Sequence, residues 1–290
     1  MKHKAAAFLL GLLALTATQA FAQEGATESA EEKLRKMREA GNAPETVVTS
    51  FHRPAADSTI APWRSIGRVN IGGRAHCSGS LIGPDLVLTA AHCLYSRAQE
   101  GLVVPGVVHF VAGYHAGGYA GHSKVKSYVV SPAFDGTKGA SHETLQYDWA
   151  LLTLEEPIGE SVGFLAFPSN VTINADGKVN TVLQSPMITV AGYPGDRAHL
   201  LSLEENCRIH AAAQRGHVLV TDCLSIGGDS GGPILQEVDG TWQVIGIQTA
   251  STKIRGKVAS MGVSIIAFWR EFVALRDAEA IPATTDNDIE

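Results

Sequence analysis

From about residue 62 onward the chain is a succession of short apolar runs. They read "SLIG" then "LVLTAA", "VVHFVAG", "KSYVV", "WALLTL", "MITVAGY", "HVLVTD", "PILQEV", "WQVIGIQT" and "GVSII". Val, Ile, Leu and Thr dominate them, and Gly, Pro and Asn separate them. Many short strands with no helical pattern between them predict an all-β body, a sandwich or a pair of barrels. One segment breaks the pattern. "AFWREFVALRDA" sets Phe268, Phe272 and Leu275 on one helical face with Trp269 and Val273 beside it, which predicts a C-terminal amphipathic helix covering the body. The tail 281–290, "IPATTDNDIE", is polar. No internal repeat and no Pro- or Ser-rich linker divides the body.

The first residues follow a different pattern. Lys2 and Lys4 precede an apolar run from Ala5 to Leu15, and Ala20-Phe21-Ala22 is a small-x-small cleavage site. The run is shorter than the ~20 residues a membrane span needs, so residues 1–22 are expected to be a secretory signal peptide. Residues 23–60 open with "EGATESAEEKLRKMREAGNAPE", a polar helical stretch with Gly41 and Pro44 as breakers. They are expected to form a pro-segment or mobile arm. No later segment is long and apolar enough to cross a bilayer as a helix, so no membrane association is expected after signal cleavage.

Composition adds the compartment and the partners. Of the 290 residues 45% are hydrophobic and 18% charged, ordinary for a globular protein. A formal net charge of −6 without a basic stripe argues against a nucleic-acid partner. Export makes Cys77, Cys93, Cys207 and Cys223 candidates for disulfides. Three pairings are possible, and sequence proximity favours Cys77–Cys93 and Cys207–Cys223. No Cys-x-x-Cys pair supports a metal site. His109, His115 and His122 alternate with glycines in "HFVAGYHAGGYAGH", which reads as a loop, and no metal is expected there either.

"SIGGDSGGPIL", residues 225–235, places Ser230 among four glycines. Glycine is costly to order, so such density implies backbone that must go where side chains would obstruct it. A bare hydroxyl is a poor nucleophile at neutral pH and needs a base. His92 follows a strongly apolar run and two alanines, and Cys93 beside it can bridge back to Cys77, which would fix the ring rigidly. Asp148, between Tyr147 and Trp149, enters an apolar strand, where a carboxylate is costly unless paired. An imidazole N–H would serve as its partner and would set the tautomer that leaves the other ring nitrogen free. The glycines let the amides of Gly228 and Ser230 converge on an oxyanion.

"LTAAHC", "YDWALL" and "GGDSGGPI" resemble, in order and spacing, the three signature segments of the chymotrypsin/trypsin-like serine endopeptidases. "PWRSIGRV" and "VIGIQT" resemble a secreted bacterial branch that includes the glutamyl endopeptidases. The resemblance covers about residues 60–275, and the domain is placed at 61–280. It implies two packed six-stranded antiparallel barrels with the site in the cleft between them. His92 is then the general base, Asp148 its orienter, Ser230 the nucleophile, and Gly228 and Ser230 the oxyanion-hole donors. The implied protein is a secreted or periplasmic monomer that acts on proteins or peptides and needs no cofactor.

The chain departs from the family at its activating start, where an Arg or Lys followed by a strand such as Ile-Val-Gly-Gly is not present in that form, at the specificity pocket and at one disulfide. In animal members a new N-terminal ammonium pairs with the aspartate before the nucleophile, here Asp229. That implies a zymogen switch with a cut between about Glu45 and Ile60, unless Asp229 finds an internal partner. The specificity pocket differs too. Leu224 stands where trypsins carry an aspartate, and Gln248 where glutamyl endopeptidases carry a histidine. Ser225, Gln248, Thr249 and Ser251, with Gly262 and Ser264, are expected to line a moderately polar pocket that takes an uncharged residue before the cleaved bond. A Cys207–Cys223 bridge also differs from the one usual near the vertebrate pocket. The rival readings are a non-catalytic binding protein on the same fold and an esterase using the same site.

Overall fold

The computed structural model describes residues 53–279, apart from 139, 140, 142, 177, 182, 186, 255 and 256. The expected signal peptide, the arm up to residue 52 and the tail 281–290 lie outside the described residues.

Twelve strands form two closed barrels of six. The first contains β1 (Ile66–Ile71), β2 (Ala75–Leu81), β3 (Leu86–Thr89), β4 (Val108–Ala112), β5 (Gly121–Val130) and β6 (Ala150–Leu154). The second contains β7 (Met187–Gly192), β8 (Ser202–Ala213), β9 (Val218–Thr221), β10 (Pro233–Val238), β11 (Thr241–Ile254) and β12 (Lys257–Ser264). Every neighbouring pair is antiparallel, and the order around each barrel is the same: first, second, third, sixth, fifth, fourth. Closure removes the unpaired edges that an open sheet of this size would expose.

Period-2 alternation fills the interiors. In the first barrel Val69, Leu88, Phe110 and Leu152 are fully buried, while Arg68 and Asn70, beside Val69, face outward. Ile188, Val190, Leu219, Ile234 and Ile245 form the inner cluster of the second barrel, together with Cys207 and Cys223. Both favoured bridges are present, Cys77–Cys93 and Cys207–Cys223, each spanning 16 residues.

The predicted helix is α1 (Trp269–Glu279), with Phe268 in the turn just before it. Phe268 packs against Trp149 at 6.2 Å between ring centroids, and Phe272 against Phe167 at 4.6 Å. Full burial of a ring such as Phe268 is worth about 2 kcal/mol.

Two expectations need correction. Residues 53–60, assigned to the arm, are packed onto the second barrel: Leu203 N donates to Pro54 O and Ala56 N to Leu201 O, at 3.0 and 2.9 Å. Backbone bonding, which no hydrophobic pattern signals, holds this segment. The histidine-rich stretch is not a loop but two paired strands and a tight turn. His109 lies on β4, His122 on β5, and only His115 lies in the turn between them.

Candidate active site

The three signature segments meet where the barrels face each other. β3 ends in the fully buried pair Ala90 and Ala91, and a single 3-10 turn over Ala91–Leu94 carries His92. Asp148 follows a second short turn, Leu145–Tyr147, and precedes β6. Its Oδ1 accepts the His92 amide at 2.8 Å and its Oδ2 bonds His92 Nδ1 at 2.7 Å. The carboxylate thus grips both the backbone and the ring of one residue. Asp148 is 6% exposed and the neighbouring Trp149 2%, while the His92 side chain keeps 39% of its surface open, so the acid is buried and the ring faces solvent on its free side.

Burial alone would push the His92 imidazole down, but its hydrogen bond to Asp148 and the attraction of that carboxylate prevail and raise it above the usual 6.5. With Nδ1 committed to Asp148, Nε2 is the nitrogen left to exchange a proton. His92 lies against the Cys77–Cys93 bridge. Cys93 Sγ is 3.9 Å from His92 Nε2 and 3.9 Å from Ser230 O. The bridge therefore touches both the ring and the serine segment. Ser230 is half-buried, and its hydroxyl makes no hydrogen bond among the described residues, to His92 or to any other group. Catalytic contacts of this kind are often loose in unliganded enzymes.

The loop around Ser230 is fixed from several sides. Gly231 N donates to Gln248 O at 2.7 Å, Gly232 N to Asp229 O at 2.8 Å and Asp229 N to Ile226 O at 3.1 Å. The Gly228 and Ser230 amides, in contrast, donate to no protein acceptor among the described residues. These two amides remain open to a ligand and are the candidate anion cradle of the loop. Glycine is required at two of these positions. Gly228 has φ +99° and Gly231 φ +80°, in the left-handed region. A Cβ at Gly231 would also collide with Thr89 Oγ1 and Ser78 O.

Sequence reasoning missed Ser78 and Arg53. Ser78, on β2, donates its amide to Ser230 O at 2.9 Å and its hydroxyl to Gly228 O at 2.8 Å. Its hydroxyl also accepts the Tyr193 amide at 2.8 Å. One serine of the first barrel therefore fastens a loop of the second. Arg53 Nη1 meets Asp229 Oδ2 at 2.6 Å, and both side chains are sealed from solvent. Arg53 Nη2 donates to Ser202 O, and the Ile226 amide reaches Asp229 Oδ2 at 3.0 Å. Asp229 Oδ1 has no partner among the described residues. Burial pushes the Asp229 carboxyl up, opposed by the Arg53 charge and the Ile226 amide. Asp229 thus has an internal partner, supplied by a segment whose sequence carries no motif.

Of the expected pocket residues, Gln248 is bonded directly to the segment around the serine, and Leu224 lines a separate small hollow with Arg53, Pro194 and Ile226. Gln248 exchanges backbone bonds with Gly231 and Gly232. Its side chain is 1% exposed, and neither amide atom has a partner among the described residues. Gly262 pairs directly with Gln248 across β11 and β12. Ser251 Oγ bonds Ser225 O, and Thr249 Oγ1 bonds Met261 O. These bonds tie Ser251 and Thr249 to neighbouring backbone. Leu224 is half-buried and Ser264 buried, its hydroxyl accepting the Ile266 amide. A cleft of about 410 Å³ reaches His92 and Thr249 and is also lined by Tyr95, Arg97, Phe134, Lys138, Leu145 and Asp148.

Two closed six-stranded barrels, with a histidine–aspartate pair on one and a glycine-framed serine on the other, define a chymotrypsin/trypsin-like serine protease fold. Residues 54–266 match the Trypsin family model, and the chain belongs to that family. It is 26% identical to a glutamyl endopeptidase of Bacillus licheniformis over 224 residues, 76% of this chain and 65% of that protein. Over 83 residues it is 39% identical to a trypsin of Simulium vittatum, 29% of either chain. The matches thus span less than two thirds of these relatives' length. Among solved structures, a Glu endopeptidase in complex with MPD superposes with a TM-score of 0.62 at 23% identity, covering 80% of this chain and all of that one. The protease Anisep from Arthrobacter nicotinovorans gives 0.54 at 17% identity, covering 72% and 92%. At those identities the structural likeness concerns the fold.

Proposed function

We propose that the protein is a serine endopeptidase that hydrolyses peptide bonds through an acyl-enzyme intermediate. The observation that carries this reading is the double grip of Asp148 on His92, against a sulfur bridge that also touches the Ser230 segment. In the proposed reaction Ser230 Oγ attacks the substrate carbonyl carbon while His92 Nε2 takes the hydroxyl proton. Asp148 stabilises the imidazolium. The free amides of Gly228 and Ser230 donate to the oxyanion of the tetrahedral intermediate. His92 then hands its proton to the leaving amine, the C–N bond breaks, and the acyl group stays on Ser230. Water, deprotonated by His92, attacks the ester carbonyl, the C–O bond to Ser230 breaks, His92 returns the proton to Ser230 Oγ, and the acid leaves.

The pocket supports an uncharged side chain before the cleaved bond. The buried Gln248 amide offers a donor and an acceptor but no cation to neutralise a carboxylate. Peptides with Gln or Asn at that position are expected to turn over faster than those with Glu, the residue in the relative's name. Export is supported by the two disulfides, and protein or peptide substrates and a monomer complete the reading.

The Arg53–Asp229 pair bears on activation. Arg53 occupies the charge-neutralising role that a new N-terminal ammonium would otherwise fill, so any maturation cut compatible with this arrangement falls before residue 53. That narrows the expected window of Glu45 to Ile60 to its N-terminal part.

A fluorophosphonate probe tests the function. Covalent labelling of the secreted protein, abolished in Ser230→Ala, is expected. An unlabelled protein would favour a binding role instead, and ester turnover without peptide turnover would favour the esterase reading.

A further inference from the structure

The outer face of the first barrel carries an arrangement that the catalytic reading does not use. A groove of about 510 Å³ is lined by Arg68, Asn70, Arg74, His76, His109 and His122, together with Tyr114 and small residues. Among the described residues no carboxylate lines it, although the chain carries a net charge of −6. Strand register accounts for the concentration. His76 on β2 lies opposite Asn70 on β1, which lies opposite His109 on β4, which lies opposite Lys124 on β5. Two residues along, Arg68 lies opposite Val111, and Val111 opposite His122. Side chains two apart share a face, so these groups project together while Val69, Phe110 and Val125 point inward.

Arg68 and the histidine pair are held rather than loose. The Arg68 guanidinium lies 5.1 Å from the Tyr114 ring centroid and donates Nη1 to Ala198 O, while its buried Nε has no partner among the described residues. His109 and His122 stack at 5.2 Å and share a 2.9 Å hydrogen bond. Burial, His122 and Lys124 push the His109 imidazole down, with Glu155 opposing, and burial pushes His76 down as well, so both rings rest toward neutral and a carboxylate placed beside them would favour their protonated forms.

The groove begins at the proposed active site. Ser78 holds Ser230 O and Gly228 O, and the chain leads back from it through Cys77 and His76 on β2 to Arg74 in the preceding turn. His76 Nε2 lies 3.0 Å from Tyr193 O, and a Cβ on Gly228 would sit 2.9 Å from the same nitrogen. The pocket residues Ser225, Gln248 and Gly262 belong to the second barrel. The acyl part of a substrate lies on that side, and the departing part falls across the first. From His76 to Lys124 is three strand spacings, roughly 14 Å, about the length of four extended residues.

We propose that this groove is a subsite for acidic peptide on the leaving side of the cleaved bond, in which carboxylates about two to four residues beyond that bond are held by Arg68, Arg74, His76 and His109. The inference rests on the endopeptidase reading for its direction but not for its chemistry. Two measurements separate them. In the first, fluorogenic peptides share one acyl side and carry Asp/Glu or Asn/Gln at those positions. The acidic series is expected to show a KM about tenfold lower at low salt, a preference that shrinks toward unity at about 1 M salt. The double variant Arg74→Ala/His109→Ala brings the ratio of the two KM values close to one. Equal KM values for the wild-type protein, or a ratio unchanged by the double variant, overturn the proposal. In the second, fluorescence anisotropy reads binding of the acidic peptide and its amide counterpart to the full-length Ser230→Ala protein. Preferential, salt-sensitive binding of the acidic peptide supports the subsite even if wild-type turnover fails and the endopeptidase reading falls. Equal binding of the two peptides sinks the subsite while leaving the catalytic reading intact.

Discussion

Replacing Arg53 with Met removes the cation from a pair in which both partners are sealed from solvent. Asp229 keeps only the Ile226 amide as a donor, and its second oxygen has none among the described residues. Breaking a buried pair in this way costs about 3–5 kcal/mol, because the surviving charge cannot reach water. For a body of this size that corresponds to a fall in Tm of roughly 6–20 °C. The loss depends on pH in a defined direction. Without Arg53 the folded-state pKa of Asp229 rises further above its unfolded value, so the neutral acid is tolerated below that unfolded value and stability is lost as pH climbs through the folded one. The Tm deficit of Arg53→Met against wild type is therefore largest at neutral pH and shrinks as pH falls toward about 4. Asp229 also sits between the two free amides, so kcat/KM should fall by about 10²–10³-fold as the Gly228 amide loses its position. Scanning calorimetry across pH and single-turnover acylation read the two effects. The double variant Arg53→Met/Asp229→Asn, which leaves no charge stranded, is expected to recover much of the stability. If Arg53→Met melts within about 1 °C of wild type at pH 7, the pair has no structural role and the argument fails.

Four further outcomes follow from the geometry. Because Asp148 holds the His92 pKa above 6.5, kcat/KM should rise with pH through an apparent pKa above that value, and Asp148→Asn should move the midpoint below it by leaving burial unopposed. The stability from this ion pair has the matching sign: complete below the unfolded histidine value, it is lost as pH rises through the raised folded one, which a Tm-against-pH series of wild type and Asp148→Asn checks. Gly228→Ala forces a Cβ to 2.5 Å from Tyr193 O at φ +99°, so turnover should drop by at least about 10²-fold while far-UV circular dichroism is retained. Replacing Cys77 and Cys93 together by Ser opens a link across 16 residues and should cost about 3 kcal/mol, read as a Tm loss of roughly 6–12 °C.

Much of the architecture is legible in the chain because a barrel strand advertises itself through its buried face. "LVLTAA" and "WALLTL" became β3 and β6, and "HVLVTD" became β9, since nearly all their residues are enclosed. β8 carries no apolar pattern because most of it, "EENCRIHAAA", runs along an exposed part of the sheet and buries little beyond Ser202, Leu203 and Cys207. In β1 the outward Arg68 and Asn70 dilute the apolar signal. In the candidate site, His92, Asp148 and Ser230 stand out through unusual neighbours: alanines and a cysteine, aromatics, glycines. Arg53 and Ser78 do not, because their roles arise from contacts with residues 176 and 150 positions away, and nothing local in the sequence encodes them.

Ser78 makes the two barrels mechanically interdependent. Its strand is wound into one cylinder, yet its amide and hydroxyl clamp the reactive loop of the other. A slip of one cylinder past the other by even an ångström would stretch both clamps and twist the anion cradle while leaving each cylinder wound and each interior dry. Warming should therefore silence the enzyme some degrees before it melts, and a cross-link that locks the seam should narrow the gap between the two temperatures.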